Sequence, residues 1–158
     1  MSEKMEMRRI RGLHDPDVLS LVAKSDEYLS ALYPAESNHA EPLAVLVGKN
    51  SAFFAGYLGD QLVACGAVKL VEGETTYGEI KRVFVAEDQR GKRLASALMQ
   101  HLEDHLVSCG VGVARLEAGP MQPEALRLYR KLGYVERGPF GSYKPDPLSV
   151  FMEKDLGA

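Results

Sequence analysis

Three strand-like segments follow one another in the first half of the chain, and they restrict the possible folds more than any other feature. They read AFFAGYL (52–58), QLVACGAVKLV (61–71) and TTYGEIKRVFV (75–85), and are rich in the β-branched and aromatic residues that favour strands. Gly59-Asp60 alone separates the first two, and EGE turns the chain into the third. Because such short turns join antiparallel neighbours, the region predicts a three-stranded antiparallel meander.

The segments around this meander alternate between strand and helix patterns. MEMRRIRG predicts a first strand, and Asp15 with Pro16 predicts the N-cap and first position of a helix. The loop YPAESNHAEP and a short helical piece at 43–49 lead into the meander. After it come a helix ending at Gly110, the strand GVARLEA, the helix QPEALRLYRKLG, and the final strands YVER and SVFMEK. This order predicts an α+β fold with one sheet and helices on its faces.

The size and charge of the chain exclude several classes of function. A chain of 158 residues with 46% hydrophobic residues suits one domain over residues 1–158. The net charge of −3 argues against a nucleic-acid partner. The N-terminus lacks an apolar signal region, and the run LAVLV is too short to span a bilayer. We therefore expect a cytoplasmic protein without a membrane partner, and leave open whether it forms a homodimer.

A basic turn lies at the start of the helix that follows the meander. In EDQRGKRLA, Arg90, Lys92 and Arg93 precede the helix, where the positive end of the helix dipole disfavours cations. The unpaired amides of a helix start bind anions, so the turn predicts a phosphate or pyrophosphate site. A solvated basic loop is the alternative. The turn matches neither GxxxxGK[ST] nor GxGxxG.

Two motifs resemble those of the GCN5-related N-acetyltransferase (GNAT) superfamily. VFVAEDQRGKRLASALM is similar to its acetyl-CoA motif, with Arg93 at a position that is usually glycine. QPEALRLYRKLGY is similar to a later helix of the family, with Gln122 for asparagine and Tyr134 for phenylalanine. The resemblance covers about Met5 to Leu156. YPAESNHA, CGAVKL, EIKRVFV and GPFGSYKPDPLSVFMEK also resemble a bacterial subgroup of small GNAT enzymes that share no single substrate.

The resemblance implies a mixed, mostly antiparallel sheet with helices on both faces, and acetyl-CoA as the cofactor. It implies that the turn binds the pyrophosphate and that the preceding strand pairs with the pantetheine arm through its backbone. The implied cofactor-binding residues are Val83, Phe84, Val85, Arg90, Gly91, Lys92, Arg93, Leu94, Ala95, Ser96 and Gln122.

The implied reaction is acetyl transfer to an amine, which must lose a proton before it attacks. A carboxylate can take that proton, and the resemblance places Glu79 in this role; the alternative is a strand residue paired with Lys81. The resemblance places Tyr129 where the family's tyrosine assists departure of the thiolate; the alternative is a tyrosine that only packs in the core.

Two polar loops are candidates for the acceptor site. Binding groups concentrate on loops that a rigid scaffold holds, and the resemblance brings YPAESNHA and GPFGSYKPDPLS together. The candidate acceptor residues are Tyr33, Glu36, Ser37, Asn38, His39, Tyr143, Lys144 and Asp146. Their mixed charges would suit an acceptor that carries an amine and a carboxylate. The alternative is that both loops are ordinary turns.

Other reactive side chains do not suggest a metal site or a nucleophile. His101 and His105 have metal-like spacing but lie near the apolar stripe of their helix, so we expect packing and no metal. Cys65 has no base beside it in the sequence.

We favour a small-molecule or amino-acid amine as the acceptor, and peptide or protein acetylation remains open. Two rival functions are a non-catalytic CoA-binding module and an ATP-binding protein.

Overall fold

A computed structural model describes residues 4–39 and 41–157. Its strands are β1 (Glu6–Ile10), β2 (Ser51–Leu58), β3 (Gln61–Val71), β4 (Tyr77–Val85), β5 (Val113–Ala118), β6 (Val135–Arg137) and β7 (Val150–Asp155). Its α-helices are α1 (Pro16–Leu32), α2 (Leu43–Leu46), α3 (Leu94–Ser108) and α4 (Pro123–Lys131). Single 3₁₀ turns lie at Ala35–Ser37 and Glu87–Gln89. The predicted element order is confirmed, and Asp15 caps α1 by accepting a hydrogen bond from the Asp17 amide at 2.8 Å.

The described strands form one sheet in the order β1-β2-β3-β4-β5-β7-β6. The predicted meander is β2, β3 and β4, which pair antiparallel. β4 and β5 pair in parallel, as the crossover through α3 requires. The remaining pairs are antiparallel, so the expected mixed, mostly antiparallel sheet is confirmed.

Helices cover both faces of the sheet because successive strand residues point to opposite sides. On β2, Phe53 packs into the cluster formed with α1 and α2, whereas the next residue, Phe54, packs into the cluster with α3 and α4. The leucines at 94, 98, 102 and 106 give α3 the apolar stripe that the larger cluster buries. Among the helices described, none is long and apolar enough to cross a membrane.

The sheet opens between its two parallel strands. Pairing of β4 with β5 ends at Ile80 and Leu116. Just beyond, the register of β4 against β3 shifts, and Arg82 adopts a left-handed backbone with φ 58°. Such a bulge bends a strand. The last two residues of β4, Phe84 and Val85, therefore pair with β3 alone and have no strand on their other edge.

Candidate active site

Two cavities meet at this opening in the sheet. The outer groove is lined by the end of β4, the turn before α3 and the start of α4. The inner cavity is lined by β4 around Glu79, by β5 from Leu116, and by polar loop residues from both halves of the chain. Val83, Gln122, Ala125 and Tyr129 line both. A molecule that extends through the outer groove can therefore present one end to the inner cavity.

The start of α3 gives the outer groove its anion-binding character. Its N-cap is Arg93, which makes no capping hydrogen bond through its side chain. The first amides of α3 are thus left for a ligand, and the helix dipole favours a negative charge there. The structure brings together in the groove Val83, Phe84, Val85, Arg90, Gly91, Arg93, Leu94, Ala95, Ser96 and Gln122.

Lys92 is the one predicted cofactor residue that does not line the outer groove. Its Nζ donates to Oε1 of the buried Gln89 at 2.7 Å. The structure therefore gives Lys92 a role in holding the turn together.

The backbone at Arg93 explains why glycine is common at this motif position. Arg93 has φ 61° and ψ 23°, in the left-handed region that glycine enters freely and other residues enter at a cost. Its side chain is exposed, so an arginine fits without crowding the core. The departure from the motif costs some backbone strain but keeps the amide in place.

Arg90 lies against an aromatic wall beside the groove. Its guanidinium carbon is 5.2 Å from the ring centre of Tyr28 and 5.7 Å from that of Phe84, within the range of cation–π attraction. Sequence reasoning missed Tyr28, which also lines the groove. This wall orients a positive charge beside the free amides of α3.

The open edge of β4 supplies a second kind of contact. Val85 and Phe84 pair with β3 on one side only. No strand pairs with the other side, where the Val85 carbonyl accepts a long hydrogen bond from Arg90 Nε at 3.4 Å. An extended chain with amide groups can pair with such an edge as an added strand. The groove therefore suits a long ligand with a phosphate group at one end and amides along its arm.

Tyr129 forms the shared wall of the two cavities. It is buried on α4, and its ring centre is 6.0 Å from that of Tyr134. Burial raises the pKa of the Tyr129 hydroxyl to about 12, and the charge of Glu117 contributes. The hydroxyl is therefore protonated at neutral pH and can donate a hydrogen bond or a proton.

Glu79 lies in the inner cavity within a polar network. It is buried, and its Oε2 accepts hydrogen bonds from the Tyr143 hydroxyl at 2.6 Å and from Lys81 Nζ at 3.2 Å. Lys81 Nζ also donates to the Tyr143 oxygen at 3.0 Å. The pairing with Lys81 that was the alternative interpretation is thus present, and the carboxylate still lines the cavity.

Glu117 is a cavity residue that sequence reasoning missed. It is half-buried near the end of β5 and lines the inner cavity. Burial raises the pKa of its carboxyl group. The parallel pairing of Glu79 with Arg115 sets the register that brings this end of β5 beside β4. A glutamate in the predicted strand GVARLEA was the available signal, but the pairing of distant strands was needed to interpret it.

The two polar loops meet at the inner cavity. The Ser37 hydroxyl donates to Asp146 Oδ2 at 2.7 Å, and the His39 ring meets Tyr143 edge-on at 5.2 Å. The predicted acceptor residues that line the cavity are Tyr33, Ser37, Asn38, His39 and Tyr143. Asp146 does not line the cavity itself but accepts the hydrogen bond of Ser37, which does. Glu36 and Lys144 are exposed and lie outside the cavity.

Tyr33 connects the first loop to the start of α4. Its hydroxyl donates to Gln122 Oε1 at 3.3 Å and accepts from the Met121 amide at 3.1 Å. The ring fits only because residue 119 is glycine: a Cβ there would lie 1.8 Å from the Tyr33 oxygen. Burial raises the pKa of Tyr33, so it remains a neutral donor.

The remaining reactive side chains pack away from both cavities. His101 and His105 contact the ring of Phe54 edge-on at 4.6 and 5.3 Å, and burial lowers the pKa of each. Cys65 is buried, which raises the pKa of its thiol to about 12. A neutral buried thiol is a poor nucleophile.

Comparison with known proteins identifies the family. A model of the acetyltransferase (GNAT) family matches residues 14–134. The chain belongs to the GNAT family. It is 42% identical to the IAA acetyltransferase of Azospirillum brasilense, over 88% of this chain and 90% of that protein. It is 35% identical to the N-acetyltransferase YsnE of Bacillus subtilis, over 94% and 98%.

Solved GNAT structures share the fold. A crystal structure described as an acyl-CoA N-acyltransferase from Klebsiella pneumoniae superposes with a TM-score of 0.78 at 31% identity, over 96% of this chain and 97% of that one. The PaiA N-acetyltransferase of Thermoplasma acidophilum, solved with coenzyme A, gives 0.75 at 16% identity, over 96% and 99%. This chain is an N-acetyltransferase that uses acetyl-CoA, and the open β4 edge and free α3 amides fit that cofactor.

Proposed function

We propose that this GNAT enzyme transfers the acetyl group of acetyl-CoA directly to an amine of a small molecule or amino acid. The observation that carries the proposal is the position of Tyr129, on the wall shared by the outer groove and the inner cavity. A thioester delivered along the groove and an amine held in the cavity would meet beside this hydroxyl. Holding two reactants in this way removes much of the entropic barrier to their reaction.

Acetyl-CoA supplies an acetyl group on a thioester, so that a C–N bond forms as the C–S bond breaks. Tyr129 donates to the sulfur as negative charge develops on it, which its neutral state at pH 7 allows. The α3 amides and Arg90 hold the pyrophosphate, and the edge of β4 at Val83–Val85 holds the pantetheine arm. The α3 amides and the β4 edge bind through backbone groups, and Arg90 adds the positive charge of its side chain.

The acceptor lies in the inner cavity, against polar groups from both loops. Asn38 and His39 line it and present polar side chains to the acceptor. The cavity also contains carboxylates, and an ammonium group is the cation that these attract. That Glu79 takes the proton of the amine stays a prediction: its Oε2 is shared by Tyr143 and Lys81.

A thiol-release assay across a panel of acceptors tests the proposal. The panel should contain simple alkylamines, free amino acids, IAA, and short peptides with free N-termini. IAA is included because the A. brasilense relative is named IAA acetyltransferase. We expect acetylation of small amines with higher kcat/KM than of peptides. A preference for peptides would replace the small-molecule proposal, and release of thiol without an acetylated product would contradict amine transfer.

A further inference from the structure

Glu117 differs from the other carboxylates of the inner cavity in its partners. Glu41 accepts from Lys69 at 2.8 Å and pairs with Lys81 at 3.4 Å. Glu79 pairs with Lys81 at 3.2 Å and accepts from Tyr143. No ion pair of Glu117 is present among residues 4–39 and 41–157. Glu117 is therefore the cavity carboxylate that lacks an ion-pair partner within this part of the chain, and Lys81 and His39 act on it only from a longer distance.

The surroundings of Glu117 place it centrally among the cavity's titratable groups. Burial is the main cause of the raised pKa of the Tyr129, Tyr143 and Tyr33 hydroxyls, and the negative charge of Glu117 contributes to each. The charged or titratable side chains that act on Glu117 in turn are His39, Lys81 and Glu79. These six groups come from the loop after α1, from β4, from α4 and from the loop before β7, so Glu117 interacts with groups from several parts of the cavity wall.

A half-buried carboxylate that has no ion-pair partner in a cavity favours the binding of a cation. Burying a charge without a partner is costly, and a bound ammonium group would remove that cost. Such a carboxylate is also more basic than one held by a lysine. Because Glu117 has no ion-pair partner, it is suited both to bind the ammonium group and to accept its proton.

We propose that Glu117 binds the ammonium group of the acceptor and takes its first proton, while Glu79 positions Tyr143 and Lys81. The proposal rests on the proposed amine acetylation and assigns its acceptor as a primary amine that enters as a cation. It also makes Glu117 the second catalytic residue beside Tyr129.

The protons and bonds of this step balance. The ammonium gives one proton to Glu117, and the free amine forms the C–N bond while the thioester C–S bond breaks. The second proton leaves the nitrogen and ends on the sulfur, with Tyr129 donating to the sulfur and being reprotonated. Glu117 then returns its proton to solvent. The sum is an ammonium ion and acetyl-CoA giving an N-acetylamine, CoA thiol and one proton.

Kinetics of Glu117→Gln with two amines test the proposal. Glutamine keeps the shape of the side chain but cannot take a proton. One amine should be an alkylamine that the wild type acetylates, and the other methoxyamine, which is uncharged at neutral pH. We expect kcat/KM for the alkylamine to fall by about 10²-fold, with a much smaller loss for methoxyamine. The acid limb of the pH–rate profile should disappear, because it reports protonation of Glu117.

Two controls separate this role from a structural one. Glu153→Gln makes the same chemical change on neighbouring β7, where the carboxylate pairs with Arg115 and Arg137 outside the cavity, and should keep the wild-type profile. Acetyl-CoA affinity, measured by calorimetry, should be unchanged in Glu117→Gln.

Three outcomes would overturn the inference. An unchanged kcat/KM and pH profile in Glu117→Gln would exclude the proton transfer, and an equal loss for both amines would show a structural effect instead. A wild type that acetylates no amine would overturn the proposed function itself and the inference with it.

Discussion

The outer groove and the inner cavity are adjacent, yet they bind through different parts of the chain. The groove offers mainly backbone groups: the free amides of α3 and the open edge of β4. The cavity offers side chains in a network, such as Ser37 with Asp146 and Tyr143 with Glu79. A backbone site depends on local conformation, whereas a side-chain site depends on how distant segments pack.

This difference predicts that the two regions tolerate substitution differently. Arg93 replaces the usual glycine in the groove because only its amide and its left-handed backbone are needed. In the cavity, one hydrogen bond joins residues 109 positions apart. We therefore expect the groove to tolerate substitutions that keep its backbone conformation, and the cavity to tolerate few changes to its paired side chains.

The largest effect should come from Tyr129→Phe, at the boundary of the two regions. Loss of the donor to the sulfur should lower kcat by about 10²-fold or more, with little change in the dissociation constant of acetyl-CoA. Stopped-flow or steady-state thiol release gives kcat, and calorimetry gives the affinity.

Tyr134→Phe is the matched control for this variant. The Tyr134 hydroxyl donates to buried Glu103 at 2.9 Å, away from both cavities. Its loss should cost about 1 kcal/mol of stability and leave kcat unchanged. If Tyr129→Phe turns over at the wild-type rate, Tyr129 is a packing residue and not a catalytic one.

Arg90→Glu should weaken acetyl-CoA binding by about tenfold or more, because a charge-assisted hydrogen bond contributes roughly 1.5–3 kcal/mol. The KM of the amine should change little. Lys92→Glu makes the same change in net charge two residues away, outside the groove, and should weaken binding less. Calorimetry at two salt concentrations measures the acetyl-CoA affinity of both variants. If Arg90→Glu and Lys92→Glu weaken binding equally, the turn acts through its net charge and the position of Arg90 is unimportant.

The sequence predicted the fold and the groove better than it predicted the cavity. The meander, the helix stripe and the turn before α3 are local patterns, so their element order was confirmed by the structure. Glu117 and Tyr28 were missed because their environment depends on which strands and helices become neighbours. Glu36 and Lys144 were grouped with the acceptor residues because they lie in the same loops, but loop membership does not say which way a side chain points.

Gly119→Ala should disturb both regions at once, since Tyr33 contacts both the inner cavity and Gln122. The added Cβ would lie 1.8 Å from the Tyr33 oxygen. Overpacking of this kind lowers the free energy of unfolding by about 1–3 kcal/mol, and displacement of Tyr33 should raise the KM values of acetyl-CoA and of the amine together.

Gly138→Ala, where a Cβ would meet nothing within 4 Å, is the control for Gly119→Ala. A rise confined to one KM would show that Tyr33 serves one region only. Urea denaturation and steady-state kinetics provide the two readouts.

Ser37→Ala should have the smallest effect and act on the cavity alone. It removes the 2.7 Å hydrogen bond to Asp146 that joins the two loops, so the KM of the amine should rise a few-fold while that of acetyl-CoA stays constant. Ser142→Ala, at an exposed position of the second loop, should change neither value. If acetyl-CoA binding weakens instead, the loops belong to the groove and the acceptor lies elsewhere.

The pH dependence of the Ser37 contact follows from its partner. The Ser37 hydroxyl lowers the pKa of Asp146, so the folded state favours the ionised carboxylate. The stabilisation is therefore fully present above the ordinary aspartate pKa of about 3.9 and is lost as the pH falls through the lowered pKa. The difference in thermal stability between wild type and Ser37→Ala should be constant near neutral pH and shrink in acid. A difference that persists when Asp146 is protonated would mean that Ser37 stabilises the loop through its packing.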